Sequence, residues 1–331
     1  MVDSKPRVSI GMPVYNEERF IRQALDSILS QSFQDFEIII YDNASTDQTG
    51  DICLEYMAKD KRIRYYRSDT TIAGVANFNR VFQLCDAEYF FWASGHDLRH
   101  ETFIKRCIEI LDTDESIVLC YPLTRWLEPD NSLGEVFPDY IDTRGLDRLS
   151  AFQTVLWGTK AGCQIYGVMR SSALRRTHLS PLVIGPDRIL LAELSLLGSI
   201  ARVPEVLLFL RRAPEYMNPE KSLTKWLGPT SSKKSALYMH MRFLCAFERV
   251  ICAHIENRPV KLIYSLSILM CFLTEYSWQL GWMRSRRKSF WEKVATSKTF
   301  VRVAIVMKRL LPVKLFGVLR AVWHLLIKVR Q

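Results

Sequence analysis

The sequence predicts an α/β fold: a Rossmann-like, doubly wound mixed sheet, followed by a helical, basic, amphipathic region. Three observations predict it. Over the first 125 residues, strand-like apolar runs alternate with helix-like periodic ones, the rhythm of a sheet covered by helices. The strand-like runs are apolar nearly throughout, as parallel strands buried on both faces are. Short polar loops follow them, and in open α/β sheets ligands bind at those carboxyl ends.

Each element has its own justification. Val8-Ser9-Ile10-Gly11-Met12 reads as the first strand, ended by Pro13. Asn16 then offers a helix N-cap, and Glu17 and Glu18 place acids in the first turn, where the macrodipole favours them. Phe20/Ile21, Ala24/Leu25 and Ile28/Leu29 recur at helical spacing. Residues 36–41 form the second strand and 42–47 its loop. A second helix carries Ile52, Cys53, Tyr56 and Met57. A third strand covers 62–66, a helix 77–84, and further strands 89–92 and 116–121. The loops at 13–17, 42–47 and 94–97 all follow strands, so all three can meet at one crevice. Beyond residue 125 the pattern is less regular. Residues 164–169 read as a strand. Gly185-Pro186-Asp187 opens a helix that Gly198 closes, with proline inside the start and glycine past the end. Residues 206–210 read as a strand entering Arg211-Arg212. Trp226-Leu227-Gly228-Pro229 sets an aromatic beside a flexible turn, either as a lid or as a structural element.

The charge is unevenly placed. The chain carries +10 overall. Residues 231–331 hold 19 Lys+Arg against 4 Asp+Glu, whereas residues 1–230 hold 26 against 31. Residues 219–234 are polar and turn-rich, so the expected division is a domain over 1–230 and a helical basic tail over 231–331. The thirteen uncharged residues of 262–274 are too few for a span of roughly twenty and fit a buried or interfacial helix. After Pro312, Lys314, Arg320, His324 and Lys328 share an arc of roughly 120° on a helical wheel, opposite leucines and valines. That pattern, with the cluster Arg284-Ser285-Arg286-Arg287-Lys288, suits a helix lying on anionic lipid. Nucleic acid is not expected as a partner, since the basic residues are interleaved with long aliphatic runs and no recognition module is visible. The eight cysteines show no CxxC pair and read as reduced core thiols of a cytoplasmic protein. The first residues lack the apolar run of a secretory signal.

Val8-Ser9-Ile10-Gly11-Met12-Pro13-Val14-Tyr15-Asn16-Glu17-Glu18, followed by Ile38-Ile39-Ile40-Tyr41-Asp42-Asn43-Ala44-Ser45-Thr46-Asp47, resembles the start of a family 2 glycosyltransferase of the GT-A fold. The resemblance continues at 74–80, 88–97 and 185–212 and does not cover the basic tail. It implies an inverting, nucleotide-sugar-dependent transfer to a glycan or lipid-linked glycan precursor at a membrane surface, with a UDP-sugar as the expected donor. The place it implies is the inner face of the cell membrane, held peripherally. It implies that Asp42 accepts the N3–H of the base, a charge-assisted bond. Pro13, Tyr15, Glu17 and Asn43 would line the base and ribose.

The resemblance also implies a DxD-like motif whose acids hold Mn²⁺ or Mg²⁺ against the diphosphate. Here those positions read Gly95-His96-Asp97, so the first acid is missing and the last is kept. Asp97, with His96 as an imidazole ligand better suited to Mn²⁺, is one reading; a weak or absent metal site is the other. Asp187 resembles the family's catalytic base, with Arg188 beside it, although helix-start N–H groups tend to lower a carboxylate's pKa. Many relatives carry a histidine after the last strand, where this chain has Ala213-Pro214. Arg80, Arg188, Arg211 and Arg212 are candidate diphosphate contacts, and Lys221 a further cation. The rival reading is a degenerate domain that binds or assembles without turnover.

Overall fold

The computed structural model describes residues 5–138, 140–212, 226–228 and 236–279. It divides into two compact units, Met1–Cys271 and Phe272–Gln331. The second is described only through the closing residues of a helix.

The core is a nine-stranded sheet in the order β3-β2-β1-β4-β8-β6-β9-β5, with β7 beside β6. Its first half is wound around β1 (Val8–Val14). The chain leaves through α1 (Ile21–Leu29) to β2 (Phe36–Asp42), then through α2 (Thr49–Lys59) to β3 (Ile63–Arg67). It crosses back through α3 (Gly74–Gln83) to β4 (Tyr89–Trp92) on the other side of β1. All three pairings are parallel. Winding therefore reverses at β1, and a crevice opens beyond the carboxyl ends of β1, β2 and β4. Strands β1, β2 and β4 are buried almost throughout, which explains their continuous apolar runs.

The second half is mixed. After β5 (Leu98–Arg99) and α4 (Phe103–Thr113) comes the long β6 (Ile117–Leu127), with β7 (Leu133–Val136) folded back on it. Then follow α5 (Arg148–Gly158), β8 (Val168–Arg170), α6 (Ser171–Leu174), α7 (Pro186–Ser195) and β9 (Ser199–Arg211). β8 runs antiparallel between β4 and β6, and β9 returns parallel to β6. Two further helices, α8 (Ala236–His254) and α9 (Arg258–Gln279), belong with the sheet domain as far as Cys271.

Several local expectations are corrected. Pro13 does not end β1; it pairs opposite Tyr41, beyond the last residue that β1 shares with β4. There its missing N–H breaks no ladder bond. Asn16 is not a helix cap: it adopts φ 53 and α1 begins only at Ile21. Residues 163–166 form a turn of 3₁₀ helix, not a strand. Six cysteines are buried as expected, but Cys245 and Cys252 are exposed on α8.

The run 262–274 lies within α9. One face of it packs on α5: the Tyr264 and Phe152 rings stand 5.0 Å apart, and Gln153 Nε2 donates to Ser267 Oγ at 2.9 Å. Val260 and Ile263 on the same helix are exposed. No helix among the described residues is long and apolar enough to cross a membrane. The amphipathic stretch after Pro312, the Arg284–Lys288 cluster, Ala213-Pro214, Lys221 and the expected boundary at 230 lie outside the described residues.

Candidate active site

The three strand-end loops do converge, and their own hydrogen bonds hold them together. Asn16 Oδ1 accepts from the Thr46 N–H at 2.8 Å, while the Asn16 N–H donates to Ser45 Oγ at 3.0 Å. The Glu17 N–H donates to Thr49 Oγ1 at 2.7 Å, and the Glu18 N–H to Asp47 Oδ2 at 3.1 Å. Asn43 ties in the loop before α3: its Nδ2 donates to the Ile72 carbonyl and its Oδ1 accepts the Ile72 N–H, each at 2.8 Å. This pinning explains the left-handed backbone of Asn16 and Ala44, a conformation that non-glycine residues hold only when neighbours over-determine it.

Asp42 ends β2 fully buried, and its carboxylate is already engaged. Oδ1 accepts the Ser45 N–H at 2.8 Å; Oδ2 accepts the Tyr65 hydroxyl at 2.7 Å and Arg67 Nη1 at 2.5 Å. In this structure Asp42 faces protein partners, because β3 brings Tyr65 and Arg67 against it. Arg67 itself is half exposed. Pro13 is buried, Tyr15 half-buried and Glu17 buried at the mouth of the same turn. The exposed Arg80 places its guanidinium 5.1 Å from the Tyr41 ring centre, beside Asp42.

Beyond β4 stand Gly95, His96 and Asp97. The position of the missing first acid is crowded. A Cβ at position 95 would lie 2.9 Å from Glu17 Cγ and 3.2 Å from Val14 Cγ1. An aspartate there would require the Glu17 side chain to shift. Glu17 in turn holds the neighbouring imidazole: Oε2 lies 3.0 Å from His96 Nδ1, which turns Nε2 toward Asp97 Oδ1 at 3.8 Å. A carboxylate on one ring nitrogen and a second acid before the other is how metal-binding histidines are commonly oriented. One carboxylate and one oriented imidazole fit a divalent transition ion better than Mg²⁺, which prefers oxygen ligands.

Two arginines support Asp97, which is 2% exposed. The Arg211 N–H donates to Asp97 Oδ1 at 2.8 Å, and Arg211 Nε to the His96 carbonyl at 2.9 Å. The rest of that guanidinium bonds Asn131 and Gln23 and lies 4.2 Å from the Phe20 ring centre. Arg211 is thus a brace for the His96–Asp97 loop, not the diphosphate contact expected of it; it is buried and faces inward. Arg99 is buried between Phe91 and Phe103 and donates to the Trp92 carbonyl at 2.8 Å. Burial pushes its pKa down to about 10, partly offset by the Asp97 charge.

The other arginines divide similarly. Arg212 pairs with Glu128 at 3.1 Å and Glu135 at 3.3 Å and covers the Trp126 ring. Arg188 donates to the Thr159 carbonyl at 2.6 Å and reaches Cys271 Sγ at 3.9 Å, joining α7 to the loop after α5 and to α9. Both expected diphosphate roles give way to structural ones, since those donors are committed to protein partners. Trp226 rests on Phe78 of α3, with ring centres 5.2 Å apart.

Asp187 sits in the first turn of α7, after Gly185 in the left-handed conformation. Burial pushes its pKa up to about 7. The shift runs opposite to the lowering expected from the helix start, because this half-buried carboxylate has lost part of its hydration. Gly162, with φ +72, lets the chain pass: a Cβ there would lie 3.0 Å from Asp187 Cβ. Tyr166 connects the two acids. Burial raises its pKa, and the charges of Asp97 and Asp187 raise it further. The charges of both acids thus reach Tyr166. Sequence reasoning missed Tyr166, Arg99 and Gly162. Glycines on both sides of 163–166 were the available sign that this segment turns instead of running on as a strand.

Comparison with known proteins agrees with this geometry. Residues 9–168 match the family model for glycosyl transferase family 2. An uncharacterized glycosyltransferase of Rickettsia typhi is 36% identical over 118 residues, covering 35% of this chain and 36% of the relative. The glycosyltransferase GlyG of Streptococcus pneumoniae is 26% identical over 113 residues, covering 34% of this chain and 38% of the relative. The chain thus spans well under half the length of these relatives. Among solved structures, S. aureus TarS 1–349 in complex with UDP-GlcNAc superposes with a TM-score of 0.61 at 15% identity, over 81% of this chain and 73% of that one. That likeness is one of fold.

Proposed function

We propose that the chain, whose residues 9–168 match the family model for glycosyl transferase family 2, is an inverting enzyme that moves a sugar from a nucleotide-sugar donor to a glycan or lipid-linked glycan acceptor. One observation supports the reading: Asp187 is a carboxylate at a helix start whose pKa is raised to about 7 by loss of hydration, and its charge and that of Asp97 both act on Tyr166. A general base works best with a pKa near the working pH.

In this reading Asp187 takes the proton of an acceptor hydroxyl as its oxygen attacks the anomeric carbon. The bond from that carbon to the diphosphate breaks on the opposite face, and the nucleoside diphosphate leaves with the electron pair. The nucleoside lies in the Pro13–Glu17 turn beside Asn43, and its imide N–H reaches Asp42 once Arg67 swings off Oδ2. Asp97 and His96 would hold a divalent cation, which supplies positive charge for the departing diphosphate. Arg80, exposed beside Tyr41, is the arginine left to face the donor. A uridine donor is favoured because a fold neighbour was crystallised with UDP-GlcNAc. Melting the full chain against UDP-, GDP- and dTDP-sugars tests this, because a ligand that binds only the native state raises Tm. A UDP-sugar is expected to give the largest rise; equal melting with all three sugars and with none removes the proposal.

We further propose peripheral attachment to anionic lipid through the basic residues beyond 231, supported by their 19 Lys+Arg against 4 Asp+Glu. The chain is expected to pellet with phosphatidylserine vesicles in low salt and to be released by high salt. Equal pelleting with neutral vesicles would count against it.

A further inference from the structure

Away from the crevice, two histidines close on one buried acid. Glu193 lies in the last turn of α7 with no solvent exposure. His178, from the loop before α7, and His254, from the last turn of α8, both address its Oε1. His178 Nδ1 stands 2.6 Å from it and His254 Nε2 2.8 Å. The His178 N–H holds the other oxygen at 2.9 Å. The rings stand 6.5 Å apart at 88°.

The carboxylate is in an unfavourable place. It is out of water, which is costly for an uncompensated charge. It also sits where the macrodipole is negative. Among the described residues, its ionic partners are these two imidazoles. One ligand atom from each residue lies within 4.8 Å of the others. Two imidazoles and a carboxylate form a zinc-type donor set. Tetrahedral zinc at about 2.0–2.1 Å from each atom sets the donor atoms about 3.3 Å apart, so each ring nitrogen must draw back from Oε1 by about half an ångström or slightly more. His178 is half exposed, so it gives both the freedom to move and a path for an ion.

We propose that His178, Glu193 and His254 form a binding site for zinc, or an ion of similar preference, that fastens α8 to α7. The ligands come from three separate segments, so the ion acts as a cross-link that the unfolded chain does not make. The Glu193 charge is then balanced by the cation, and the fourth position is left for water. The site lies outside the proposed donor crevice and does not depend on the glycosyl transfer reading.

The test uses the untagged full chain, stripped with chelator and titrated with Zn²⁺ and separately with Co²⁺. The Asp97→Asn chain is titrated alongside, so that an ion at the crevice is not counted. One zinc per chain is expected in the Asp97→Asn background, with a Tm raised by several degrees and the intense visible bands of four-coordinate cobalt(II). His178→Gln, a substitution at a half-exposed position, should weaken binding at least about tenfold, and His254→Gln should do the same. Zinc binding unchanged in both variants, a pale six-coordinate cobalt spectrum, or no binding would overturn the proposal, the last leaving a hydrogen-bonded cluster only.

Discussion

If Asp187 is the base proposed, Asp187→Asn is expected to lower sugar transfer by a factor of ~10²–10⁴, the usual contribution of a general base, and to leave donor affinity close to that of the parent chain. The amide keeps the size of the side chain but cannot take a proton. In the parent, kcat/KM should rise about tenfold per pH unit on the acid side and level off near 7, where burial has moved this carboxyl. Transfer by the variant should lose that limb. Activity within tenfold of the parent, or a limb that survives the substitution, would show that another group accepts the proton.

The same burial makes a second, opposite prediction for stability. An unfolded aspartate titrates near ~3.9, whereas Asp187 in the folded chain titrates at about 7. Between those values the folded chain holds a proton that the unfolded chain has lost. Stability therefore falls as pH rises through that window, and above about 7 the whole cost of the buried charge is present. Asp187→Asn removes that cost. The variant should melt higher than the parent at pH 8, and the gap should close as pH falls toward 4. A dead but more stable variant is how a group placed for chemistry at the expense of folding behaves. A melting difference that does not change with pH would mean that the carboxyl is ordinary and well solvated.

Much of the first half of the fold is legible because β1, β2 and β4 are buried on both faces and the helices on one. Ile38, Ile39 and Ile40 are all fully buried, so periodicity reported β2 directly. The second half resists for a physical reason. β6 and β9 are long, with register shifts and half-exposed stretches, so neither a period of two nor a continuous run describes them. At the site, sequence pattern located the loops but not the partners of their side chains. Arg211 and Arg212 read as free cations because a guanidinium's partners are distant in sequence: Asn131 and Gln23 for one, Glu128 and Glu135 for the other. Asp187 was placed correctly on a helix start, yet the sign of its pKa shift depended on burial, which a local pattern does not contain. Gly95 reads as a lost ligand in sequence; in three dimensions its Cα faces the Glu17 side chain, a neighbour that no local pattern contains.

In the proposed donor site Asp97 is the acid kept from the motif, and Asp97→Asn isolates its charge. The amide Oδ1 can still accept the Arg211 N–H now bonded at 2.8 Å, so the loop keeps its brace. What disappears is a negative charge buried between Arg211, Arg99 and the His96 imidazole. Without it, the cluster becomes too positive to attract a cation. If Asp97 and His96 hold a divalent ion, Mn²⁺ should tighten UDP binding to the parent, and calorimetry of the Asp97→Asn chain should show that gain largely abolished. Metal-ligand removal of this kind should cost transfer on the order of 10²-fold or more, comparable with removing one preorganised electrostatic group. Glu17→Gln separates orientation from ligation. It leaves both proposed ligands but weakens the bond that aims His96, and second-sphere changes of this type weaken metal affinity by roughly 10–100-fold. Equal UDP affinity with and without Mn²⁺ in the parent would remove the ion from this site. Asp97 would then serve to anchor Arg211, and the diphosphate would rely on Arg80 and backbone N–H groups for its charge.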